Sequence, residues 1–80
     1  MTFTEQFNES IAKNGFDFYS SYTVRYIEAD TQSRKESKDH WLKCHAANIA
    51  DDRSDLYIFS SKILAAISLA EAIIQEQKNS

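Results

Sequence analysis

An α+β fold is predicted for this chain: one domain over residues 1–80, ordered helix, three-stranded antiparallel sheet, helix, with both helices on one face of the sheet. Three observations carry that expectation. The first and last segments repeat apolar residues every three or four positions, the period of a helix. Residues 16–29 change to a period of two and are rich in β-branched and aromatic side chains. The chain has 80 residues, enough for a single core and not for two.

The elements follow in order. Thr2 and Glu5 have capping-box spacing, a hydroxyl and an acid three residues later. Phe3, Phe7 and Ile11 then form one stripe of a short helix, which Asn14-Gly15 ends. In the first predicted strand, Tyr22, Val24 and Tyr26 share one face, and Thr23, Arg25 and Ile27 the other. Residues 30–39, "DTQSRKESKD", hold no apolar side chain and are assigned to a hairpin loop. The second strand, 40–50, alternates Leu42, Cys44 and Ala46 with Trp41, Lys43 and His45. A turn at 51–54 leads to a third strand, 56–59. Ser60 or Ser61 is expected to cap the last helix, which runs to about Gln77. Its apolar arc exceeds the ~100° that packing on one sheet requires, and Leu64 falls within its polar stripe. Val24, Leu42, Ile58 and Ile67 are the expected core.

The element order and two segments resemble the double-stranded-RNA-binding domain. "FNESIAKNG" (residues 7–15) is similar to that family's first helix. "SSKILAAISLAEAI" (residues 60–73) is similar to its second. The resemblance implies that Glu9 faces a minor groove, that His40 lies in the loop reaching the next one, and that Lys62 sits over phosphates. Ile63 and Ala66 stand where the family carries further lysines. Phosphate neutralisation supplies much of such affinity, so RNA binding is expected to be weak.

Composition narrows the function classes. The formal net charge is −3, opposite in sign to a typical nucleic-acid binder. Cys44 is the single cysteine, which excludes an internal disulfide and fits a reducing, cytoplasmic setting. The polar N-terminal stretch is unlike a secretory signal, and no apolar run reaches the ~18 residues of a membrane span. His40, Cys44 and His45 lack zinc-ligand spacing. Neighbours on a strand point to opposite faces, so Cys44 and His45 make no nucleophile–base pair. One glycine leaves no phosphate-binding loop. No catalytic residue, metal or cofactor is expected.

What remains is surface. With the helices over Val24, Leu42 and Ile58, the open sheet face carries Arg25, Trp41, Lys43, His45 and Tyr57, and Leu64 adds an apolar point on the last helix. Aromatic side chains beside cations suit a protein hot spot. The expected function is a small interaction module, an inhibitor or adaptor that works by occluding a surface of a protein or nucleoprotein complex. Small phage-encoded inhibitors, anti-CRISPR proteins among them, are similar in type. A divergent RNA-binding domain and a homodimeric structural module are the alternatives.

Overall fold

Four α-helices follow one another with hardly a residue to spare between them, and no strand occurs among the described residues. The computed structural model describes residues 2–79. The helices are α1 (Phe3–Asn14), α2 (Phe18–Glu28), α3 (Thr31–Ala50) and α4 (Ser54–Asn79). The predicted α+β fold is therefore wrong, and so is the double-stranded-RNA-binding architecture that the resemblance implied. Residues read as two long strands and their hairpin loop form α2 and α3, and the third strand is the opening turns of α4.

α1, α2 and α3 each start on a side chain that accepts a free N–H of the helix's first turn. Thr2 Oγ1 accepts from the Glu5 amide at 3.1 Å, as its spacing predicts. Asp17 accepts from Ser20 N–H at 2.9 Å, and Asp30 from Ser33 N–H at 2.7 Å. Both aspartates are held below the ordinary carboxylate range, first by that backbone N–H and then by the serine hydroxyl. Gly15, at φ 85°, ends α1 by donating its N–H to Ile11 at 2.8 Å. Asp52, at φ 53°, supplies the left-handed residue of the tight turn between α3 and α4, a conformation that aspartate tolerates.

α4 is the axis of the molecule. At about 1.5 Å per residue its 26 residues extend roughly 39 Å, nearly the full 41 Å of the longest dimension. α1, α2 and α3 all pack on it. The buried apolar core is Tyr26 with Ile63, Ala66, Ile67, Ala70 and Ile73, five of six from α4. Among the expected core residues only Ile67 is there, 1% exposed. Leu42 and Ile58 are on the surface, and Val24 is half-buried. The core face of α2 is Tyr19, Tyr22, Thr23, Tyr26 and Ile27, the i, i+3, i+4, i+7, i+8 pattern of a helix. α4 is also long and apolar enough to cross a membrane by length and composition alone, and here it serves as the core helix.

Polar ties fix the other helices to it and to one another. Glu76, near the end of α4, accepts the Phe3 and Thr4 amides and the Thr4 hydroxyl at the start of α1. Arg34 of α3 donates to the carbonyls of Tyr26 and Ile27 at 3.0 and 2.6 Å, placing a cation at the negative end of α2. Lys38 of α3 pairs with Glu71 of α4 at 3.1 Å.

Candidate interaction surfaces

The change from strand to helix rearranges every face. Side chains two apart lie together on a strand, but about 200° apart on a helix. Trp41 and His45, four apart, therefore share the inner side of α3, whereas Lys43 projects outward and is exposed. No open sheet face exists to gather Arg25, Trp41, Lys43, His45 and Tyr57. Arg25 is exposed on α2, beside the start of α3. Leu64 is half-buried against the core.

Trp41 belongs to a cluster of rings at the junction of α2, α3 and α4. Its indole meets Phe59 edge-on at 5.6 Å and Tyr22 at 6.5 Å, and His40 packs on it at 5.3 Å. Phe18 and Tyr19 pack on Phe59 from α2, at 5.9 and 6.1 Å. The Asp17 cap starts α2 at Phe18, so this ring sits at the helix's first position and stays 57% exposed while leaning on Phe59. Leu56, one turn before Phe59 on α4, is 46% exposed, and Phe16 precedes the cap at 61%. An aromatic corner results, apolar outside and braced from beneath.

A second cluster ties α3 to α4. Ser60, fully buried, donates to the Tyr57 carbonyl at 3.1 Å. Its oxygen accepts from Asn48 at 3.2 Å, and Asn48 also donates to the Leu56 carbonyl at 3.0 Å. With the Ser60 proton committed to Tyr57, His45 Nδ1 at 2.8 Å is the donor to Ser60. The His45 ring stacks on Tyr57 at 4.7 Å. No buried side-chain polar atom among the described residues lacks a partner. His45 thus serves the α3–α4 packing, and Tyr57, 41% exposed, covers it.

The residues assigned to RNA are dispersed. Glu9 is exposed on α1 and His40 on α3. Lys62 lies two turns inside α4, because that helix begins at Ser54 and not at Ser60. The free N–H groups that would favour a phosphate beside Lys62 are therefore all bonded along the helix. Its ammonium rests 5.6 Å from the Tyr19 ring centre.

Helical spacing creates one contact that a strand would forbid: His40 Nε2 lies 3.6 Å from Cys44 Sγ. The other polar neighbours that a catalytic pair requires are missing from the described contacts of His40, whose ring is engaged by Trp41. Among the described residues no group of His, Cys, Asp and Glu side chains could hold a metal ion, and no catalytic constellation is assembled. The concavities are open grooves; the one between α1, α2 and α4, about 280 Å³, is lined by Phe7, Tyr19, Thr23, Lys62 and Leu69. The chain matches no protein-family model, no curated protein and no solved structure.

Proposed function

We propose that this protein is a small non-enzymatic binding module that acts by covering part of another protein's surface. The aromatic corner carries this reading. Phe16, Phe18 and Leu56 present large apolar area to solvent, and Phe59, itself backed by Trp41, packs against Phe18 from below. Preordered aromatic side chains lose little entropy on binding and dominate interface hot spots. The partner is a protein with an apolar pocket, because the corner offers rings and no concentration of cations for phosphates.

The test is affinity capture from the native host's lysate, repeated after nuclease treatment and with the Phe16→Ala/Phe18→Ala double variant. A defined protein retained after nuclease and lost with the double variant supports the proposal. RNA recovered alone, or equal capture by the double variant, defeats it.

A further inference from the structure

α4 has a side that none of the other helices covers, and it continues onto the flank of α3. Leu42 and Ile49, two turns apart on α3, are 47% and 58% exposed. Ile49 and Tyr57 line one groove beside the α3–α4 turn, and Ile58 is 53% exposed. Ser61 and Ser68 continue the open side of α4 with small side chains, Ser68 exposed. The face thus has bulky apolar groups toward the turn and shallow ground farther along.

The size of the uncovered surface points to an occupant. The chain exposes 5591 Å², against about 4,900 Å² for a compact monomer of its mass. The excess, roughly 700 Å², is summed over the whole molecule, the aromatic corner included, and is of the order of the ~800 Å² that each partner loses in a standard interface. Charge points to which occupant. At the turn end stand Asp51, Asp52 and Asp55 against Arg53. At the other end, one groove collects Arg34, Lys35, Lys38 and Lys78 against Glu71. No charged residue occupies the line from Tyr57 through Ser61 to Ser68, so a two-fold axis there sets no charge against itself.

We infer that the open face of the α3–α4 hairpin is an isologous dimer interface whose occupant is a second copy of this chain, laid antiparallel. A two-fold axis crossing α4 midway between Ser61 and Ser68 brings the acidic turn of each copy to the basic groove of the other. The same operation lowers Tyr57 and Ile58 onto the far, shallow part of the partner's helix, large groups over small. The arrangement lies away from the aromatic corner, so its success or failure is independent of the function proposed above.

Sedimentation equilibrium over a wide concentration range tests it, with helicity followed by circular dichroism. The wild-type chain is expected to dimerise. Ser68→Arg, which drives a guanidinium into the shallow ground at the partner copy's Ser61, should be monomeric with unchanged helicity and intact partner capture. Ile49→Asp provides the same readout from α3. Charge reversal then fixes the orientation. Asp51→Lys/Asp52→Lys and Lys35→Glu/Lys78→Glu should each be monomeric alone and should pair when mixed, since both contacts of the mixed dimer are again complementary. A wild-type monomer at every concentration overturns the inference, as does a dimer that survives both Ser68→Arg and Ile49→Asp. Failure of the two charge variants to pair overturns the antiparallel arrangement. A monomer that cosediments with phosphatidylcholine vesicles overturns it in favour of a lipid surface.

Discussion

Phe18 and Trp41 touch the same Phe59 ring, yet their truncations should read out differently. Phe18 is more than half exposed, so Phe18→Ala should shift stability by no more than about 0.5 kcal/mol. Partner binding should weaken by about 2 kcal/mol or more, the scale of a hot spot. Trp41 is packed on the core, and Trp41→Ala should cost about 2–4 kcal/mol of stability, toward the lower end of aromatic-to-alanine truncations because the indole is only partly buried. Urea melts of both variants with a partner titration separate the two roles; a neutral Trp41→Ala would mean the ring cluster does not brace the corner. The aliphatic pair Ile67 and Leu42 gives the same contrast without aromatics. Ile67→Ala should cost about 2–5 kcal/mol, while Leu42→Ala, at a surface position, should change the monomer by about 0.5 kcal/mol or less.

Among the elements, α1 depends most visibly on one side chain. The Glu76 carboxylate is held below its ordinary 4.5, chiefly by the Phe3 amide and also by the Thr4 amide and hydroxyl. An acid with a lower pKa in the folded state contributes stability above the unfolded value and loses it as pH falls through the folded one. Acidification below 4.5 should therefore release α1, seen as lost amide protection in α1 once intrinsic exchange rates are divided out. Glu76→Gln should weaken that protection at neutral pH and flatten its pH dependence. If α1 protection in the wild type were indifferent to this range, the α4 contact would not be what holds it. Asp17 and Asp30 titrate in the same direction but report on α2 and α3, so the helices must be followed separately. The elements also differ in how legible they were. α1 and the body of α4 were readable because apolar residues mark the 3.6-residue period. α2 was misread because Tyr, Thr, Val and Ile favour strands on average, and that preference is weaker than the chance to pack a tyrosine face on α4. Its Asp-x-x-Ser start, and that of α3, were available as cap signals. α3 was unreadable by hydropathy: Arg34, Ser37, Lys38, Trp41, His45 and Asn48 follow the helical period, but most are polar and work through hydrogen bonds. With its faces miscounted, the candidate site could not be assembled: Trp41 and Tyr57 were placed together on an open sheet face that does not exist, whereas Phe18 and Phe59 were passed over as strand residues.

For the molecule as a whole, the order of the helices along the chain decides how it can fold. α1, α2 and α3 bury their inner faces chiefly on α4, which contributes most of the core and comes last. Residues 1–53 alone would leave the Tyr19, Tyr22 and Tyr26 stripe in water and the start of α1 without Glu76. Helices as short as α1 and α2 are marginal in isolation, since nucleation is costly and packing supplies most of their stability. α3 is longer, but its inner side is largely polar and gains little from collapse without Ser60 and Glu71 to receive it. A peptide of residues 1–53 should therefore show low helicity and no cooperative melt. Adding a peptide of residues 54–79 should restore both, with a midpoint that rises with peptide concentration, because association and folding are then one equilibrium. Removing residues 1–15 should be far milder: α2, α3 and α4 keep their shared core, and helicity should fall only by the share of α1. A cooperative melt from residues 1–53 by themselves would show that the first three helices hold a core of their own, and α4 would then be a helix added to a domain, not the axis on which the domain forms.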